Sequence, residues 1–479
     1  MNRRQFLASA AAMPMAAMSL PAMAQTEPDV IRAVTRQIEV KGRSAQVFGL
    51  VDRNGRPGWS RRAGEGFAVR LVNETSEPTG IHWHGPTPPW RQDGVPGVSM
   101  EPIPAGGSQE FRFPLDRPAT HWMHSHLGLQ KQALMAAPLI VRPASAPDEQ
   151  EVVILLQDFS FAPADELLAR LVGGPAEMAP HGGAAPHAAA PSPHGAMGGM
   201  GIVDRLRGLV GLGRRSMAMD INDIEFDAYL ANDRTLDDPE VIAVERRGRV
   251  RLRVINGASA TGFHLDLGSA TGMLVAVDGE DLTEPLRVST VPIAVAQRAD
   301  ILLDIPEGGG ALPVLFRREG ARERTGVILR PPGAAISRLD GMGDAVPAVG
   351  LELEARLRGP ATPARATRTI VMPLTGDMAT YRWGMGDGAP IQVRRGERLE
   401  IEMRNTTMMS HPMHLHGHHF QVVAIEGRRF AGALRDTVLV PPMQRVTIAF
   451  AAENPGPWPF HCHHLYHQVR GMETLLRYA

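Results

Sequence analysis

The chain of 479 residues has one cysteine, Cys462, and two lysines, Lys41 and Lys131. A lone cysteine excludes an internal disulfide. The scarcity of lysine leaves 48 of the 50 basic residues as arginine, a compositional bias rather than a functional signal. A net charge of −1 points to neither nucleic acid nor an anionic membrane as partner. Beyond the N-terminus no stretch approaches the roughly 18 unbroken apolar residues of a spanning helix. Long amphipathic helices are scarce too. Glycine, proline and short alternating runs are frequent instead.

The N-terminus reads MNRRQFLASAAAMPMAAMSLPAMAQ. Paired Arg3 and Arg4, then Phe6 and Leu7, a modest apolar run and the small-x-small site Ala22-Met23-Ala24 make a twin-arginine signal over residues 1–24. The expected partner is the twin-arginine export machinery, and the expected location is the periplasm. Removal after Ala24 leaves 479 minus 24, or 455, residues, enough for about three domains. A monomer is expected. A free thiol in an oxidising compartment is open to oxidation. Cys462 is therefore either an inert buried side chain or a ligand.

Three passages repeat one pattern. FAVRLVN (67–73), VRLRVIN (250–256) and LEIEMRN (399–405) each alternate as half-buried strands do. Each follows a glycine, ends in asparagine, and leads through a loop to a histidine-led strand and another glycine: GIHWHG, GFHLDLG, SHPMHLHG. A second strand-turn-strand half follows, carrying THWMHSH in the first copy and PFHCHH in the third. The middle copy has none of these histidines, and Asp266 stands where a second one would be. The expectation is an all-β chain of three Greek-key sandwiches. Linker-like composition sets domains at 25–145, 146–355 and 356–479. The middle domain carries a Gly/Ala/Pro-rich insertion at 173–200 with three histidines and three methionines. That insertion reads either as an inert loop or as a soft Cu(I)-collecting one.

Four His-x-His pairs occur: His82/His84, His124/His126, His414/His416 and His461/His463. Side chains at i and i+2 leave one face of a strand, so the four pairs can converge eight imidazoles on one cavity. Cys462 must then point the other way, toward a second site. His467 and Met472 follow it, and His411 precedes the His414/His416 pair. Two imidazoles, a thiolate and a thioether form the ligand set of a blue-copper electron-transfer centre. One His-x-His alone is weak evidence, and a lone His-Cys-His could be a zinc fragment. Four pairs with HCHxxxHxxxxM leave little room for coincidence. His121, His264, His418, His419 and His464 read as structural.

HWHG followed by DGVPG, HSHLGLQ, MDINDIEFDAYLAND and MMSHPMHLHG resemble the multicopper oxidases, bacterial copper-resistance oxidases most of all. The resemblance covers the whole chain after the signal. It implies three cupredoxin-like domains and four copper ions. It assigns His411, Cys462, His467 and axial Met472 to a type 1 copper, and His82 and His414 to a type 2 copper. One type 3 copper would take His84, His124 and His463, the other His126, His416 and His461. Asp93 matches an acidic residue that delivers protons, while Gln468 stands where some relatives carry a second relay glutamate. The implied reaction is one-electron oxidation of a phenol, an aromatic amine or Cu(I), coupled to reduction of O2 to water. Met408, Met409 and Met413 favour metal-ion oxidation. Thr407 stands where some cuprous-oxidase relatives carry an aspartate, which argues against a specific Cu(I) entry site. A non-catalytic copper-storage protein is the alternative.

Overall fold

In a computed structural model, residues 27–145, 147–173, 223–360 and 365–479 are described. The signal segment lies outside them, as does all of the insertion but Gly173. Three pairs of β-sheets follow one another along the chain. Strands from Asp29 to Arg142 make two four-stranded sheets, those from Gln150 to Arg330 a six- and a five-stranded sheet, and those from Arg368 to Tyr478 a seven- and a five-stranded sheet. The sheets join non-consecutive strands: Asp29–Val40 runs parallel to Phe67–Asn73, and Gln150–Phe159 to Arg249–Asn256. This is the expected Greek-key, all-β architecture. Among the described residues no helix is long and apolar enough to cross a membrane.

The alternating segments build the cores. Phe67, Val69 and Leu71 point inward against Trp83, Met123 and Leu139 of the facing sheet. Leu399, Ile401 and Met403 do the same in the third region. VRLRVIN departs from half-burial, because Arg253 on its second face is also buried, bonding Thr120 of the first region.

The asparagine closing each repeat has one job in all three copies. Asn73 donates to the Glu77 and Ile103 carbonyls, Asn256 to those of Thr261 and Ile293, and Asn405 to those of Met409, Val440 and Pro441. Each side-chain oxygen also caps an amide two residues on. A buried amide so satisfied fixes the loop that leads into the histidine-bearing strand.

Candidate metal centre

Strand register sorts the ligating groups by face. His82 lies opposite His124, so the HWH and HSH pairs share a face, while Trp83 packs into the core against Phe67 and Phe111. In the third region His414 pairs with His461 and Met413 with Cys462. His414, His416, His461 and His463 therefore leave one face, and His411, Met413 and Cys462 the other.

Eight imidazoles meet between the first and third regions in three groups: His82/His84/His414, His84/His124/His463 and His126/His416/His461. Facing Nε2 atoms are 3.4 Å apart for His82–His414, 3.3 Å for His124–His463, 3.4 Å for His126–His461 and 3.0 Å for His416–His461. Two nitrogens each about 2.0–2.1 Å from one first-row ion stand about 3.4 Å apart in tetrahedral geometry. The spacing fits cations held between the rings. Burial first, then neighbouring imidazoles, lowers His126 and His414 to about 3. The same causes hold His84, His124, His416, His461 and His463 well below their ordinary range. These seven rings are thus neutral at pH 7, the form that binds metal.

The outward nitrogens fix which atom faces in. Nδ1 of His414 meets the Asp436 carbonyl at 2.8 Å, that of His124 the Ser125 carbonyl at 3.0 Å, and that of His461 the Cys462 carbonyl at 2.9 Å. Asp93 serves two rings. Its Oδ2 is 2.9 Å from His416 Nδ1 and its carbonyl 3.2 Å from His82 Nδ1. Asp93 Oδ1 lies 3.2 Å from the same His82 nitrogen but has no aligned donor. His84 is reversed: Nε2 bonds Asp436 Oδ1 at 3.1 Å, leaving its buried Nδ1 unpartnered and free to bind an ion. Lys131 donates to the His463 carbonyl and lies 3.0 Å from its Nδ1, and burial lowers this lysine to about 7.

On the other face, Cys462 Sγ is 3.7 Å from His411 Nδ1 and 3.8 Å from His467 Nδ1, and the two nitrogens are 3.1 Å apart. One ion with sulfur at about 2.3 Å and nitrogen at about 2.0 Å would span these separations in a trigonal site. His411 Nε2–H donates to Thr407 Oγ1 at 2.8 Å and His467 Nε2–H to Asp223 Oδ2 at 3.0 Å, so both Nδ1 lone pairs face the sulfur. Burial pushes the Cys462 thiol well above its usual range, so its thiolate needs a cation beside it. Met472 is buried, its carbonyl accepting from Cys462 N and its N–H donating to the His467 carbonyl.

Asp93 is held in part by the glycine after it. Gly94 has φ +84°, and a Cβ there would lie 1.8 Å from the Ile81 carbonyl oxygen, one residue from His82. Gly94→Ala is expected to cost about 1–3 kcal/mol of stability. Urea unfolding of the variant against the parent checks this.

Three multicopper oxidase family models match the chain, at residues 34–146, 212–311 and 360–478. The chain belongs to the multicopper oxidase family. Multicopper oxidase MmcO of Mycobacterium tuberculosis is 30% identical over 429 residues, 87% of this chain and 80% of that one. A copper resistance protein A homolog of Pseudomonas syringae pv. tomato is 25% identical, over 86% of this chain and 85% of the relative. The solved multicopper oxidase of Pseudomonas thermotolerans superposes with a TM-score of 0.69 at 21% identity, over 94% of this chain and 98% of that chain. Fet3p, a multicopper oxidase that functions in iron import, gives 0.72 at 17%, over 94% and 90%. This chain is accordingly a copper-dependent oxidoreductase that uses O2.

Other expectations are refined. Of the three methionines near His411, Met409 and Met413 are core, and only Met408 is at the surface, 61% exposed. Gln468 Nε2 lies 3.3 Å from His126 Nε2 and donates to Glu473. His418 bridges the His416 carbonyl and Tyr478, His419 meets the Gly85 carbonyl, His264 meets that of Pro347, and His464 stacks on His467 at 3.8 Å. His121 is buried with its Nδ1 unpartnered. Sequence reading missed Asp436, Arg298 and Asp223. None lies in a histidine motif; Asp223 falls within the MDINDIEFDAYLAND stretch, whereas Asp436 and Arg298 gain their meaning only from contacts between domains.

Proposed function

We propose that the chain takes single electrons from a reductant at His411, Cys462, His467 and axial Met472, and reduces O2 to water at the eight-histidine cluster. Four coppers, distributed as the motifs imply, would supply the one-electron and multi-electron redox chemistry when bound. The observation that carries this reading is the junction at His461-Cys462-His463. One residue serves the electron-entry site, and its two covalent neighbours serve the cluster on the opposite face of the strand. Asp93, bonded to His416 and beside His82, holds a carboxylate at the cluster edge for protons. Gln468 cannot donate and regain a proton as a carboxyl does, so the second relay of some relatives is not reproduced at that position.

At the electron-entry site Asp223 accepts from both the His467 imidazole and the Tyr381 hydroxyl, which fixes the outward nitrogen of that ring. Cu(I) and phenolic or aromatic compounds are the two substrate classes. The exposed Met408 thioether, next to the Thr407 that holds His411, supports Cu(I). A role in copper tolerance agrees with the copper resistance protein A relatives. The domain limits 25–145, 146–355 and 356–479, and periplasmic export through the 1–24 signal, belong to the same reading. A pure copper store would have no need of eight converging imidazoles.

The test is O2 consumption by anaerobically copper-loaded protein given Cu(I), Fe(II) or a phenol. One O2 should disappear per four electrons, without accumulation of peroxide. A fully loaded protein that consumed no O2 with any reductant would sink the assignment.

A further inference from the structure

Among the described residues the middle domain supplies no histidine to these metal-binding groups, yet one of its side chains reaches the cluster. We propose that Arg298 is a positioning residue: acting through Asp436, it sets the His84 and His414 imidazoles that hold copper across the boundary between the first and third domains. The inference rests on the cluster assignment above.

Asp436 binds both rings at once. Its Oδ1 accepts from His84 Nε2 at 3.1 Å, and its backbone carbonyl accepts from His414 Nδ1 at 2.8 Å. These two rings come from different domains and stack 3.7 Å apart at 15°. The carboxylate that orients His84 is itself gripped by Arg298, with Nη1 to Oδ1 at 2.7 Å and Nη2 to Oδ2 at 2.5 Å.

Arg298 is fully buried, and all five of its side-chain N–H donors are used. Two go to Asp436. The other three go to the carbonyls of Thr120 (Nε, 3.2 Å), Ala296 (Nη1, 3.2 Å) and Asp278 (Nη2, 2.9 Å). Thr120 lies in the strand that carries His124. The guanidinium is thereby fixed by the first and middle domains while it holds a residue of the third. Only a rigid planar fork makes these five bonds together, and a lysine ammonium has three donors. Arg435, the neighbouring buried cation, is committed to Asp278 and Glu354 and offers Asp436 no replacement.

A plain interdomain ion pair would make the same contacts, so the test needs a control of that kind. Arg253 is equally buried and bonds Thr120 and Asp300 at the same junction, but touches no residue that orients a ligand. Copper-loaded Arg298→Met, Arg298→Lys and Arg253→Met are compared with the parent by type 2 EPR, copper retention against a chelator, type 1 visible absorption and Tm. Both Arg298 variants are expected to show an altered type 2 signal and about 10–100-fold weaker retention of cluster copper, with lysine the milder, and unchanged type 1 absorption. Arg253→Met should lower Tm with parental spectra. Parental type 2 signals and retention in both Arg298 variants, or the same spectral change in Arg253→Met, would overturn the proposal. If Arg298→Met does not fold, Arg298→Lys carries the comparison. A parent with no type 2 signal would overturn the cluster assignment and this inference with it, whereas a parental signal that both variants keep overturns this inference alone.

Discussion

Cys462→Ser is expected to remove the intense visible absorption of a copper–thiolate and to lower steady-state O2 consumption by at least about a thousandfold. Serine matches cysteine in shape, so Met413 opposite and the strand register survive. The buried hydroxyl costs only about 1–3 kcal/mol if it finds no partner. What is lost is a soft, polarisable donor, because a hydroxyl near His411 and His467 neither ionises readily nor suits Cu(I). His461 and His463 point away from the substitution, so the cluster should stay loaded, with total copper falling by about one per chain. Visible spectra, metal analysis and O2 uptake on one preparation check all three. A variant that kept its colour would remove Cys462 from the electron-entry site. Collapse of the type 2 EPR signal would show instead that the two faces of the strand are not independent.

That independence could be read from the sequence. Strand parity alone separates 411, 413 and 462 from 414, 416, 461 and 463, and the register confirms it, because pairing Met413 with Cys462 leaves no other choice. The repeat was equally legible, down to asparagines at 73, 256 and 405 that bond the same kind of loop in each copy. The groups that hold the ligands were not legible. Asp436 is a bend residue between the short strands Leu434–Arg435 and Thr437–Val440, and Arg298 comes from the one copy without a His-x-His pair. Their meaning exists only once three domains meet. The methionines show the opposite error. Met409 and Met413 looked like metal donors because they flank His411, yet Met413 lies on a fully buried strand and Met409 in the buried bend before it, so both are core. Spacing within one strand carries chemistry, whereas contacts between strands distant in sequence do not announce themselves.

Asp93→Asn separates geometry from proton supply. The asparagine oxygen can still accept from His416 Nδ1, and the residue 93 carbonyl still meets His82, so both imidazoles keep their orientation. Copper content and the visible and EPR spectra should therefore match the parent. Reduction of the electron-entry site by substrate, followed anaerobically in a stopped-flow instrument, should also be unchanged, since Asp93 lies on the cluster side. Turnover is another matter. Reduction of O2 to water consumes four protons, and among the described residues the Gln468 amide stands near His126 where a carboxyl would be a second source. An amide at position 93 as well leaves neither group able to release and regain a proton. The kcat for O2 consumption is expected to fall by about a hundredfold or more, the usual scale for losing one positioned acid–base group. Gln468→Glu added to Asp93→Asn should recover part of that loss, because it restores a carboxyl beside His126. If Asp93→Asn instead turns over within about twofold of the parent, with its copper intact, Asp93 is only a bracket for two imidazoles and protons reach the cluster by another path.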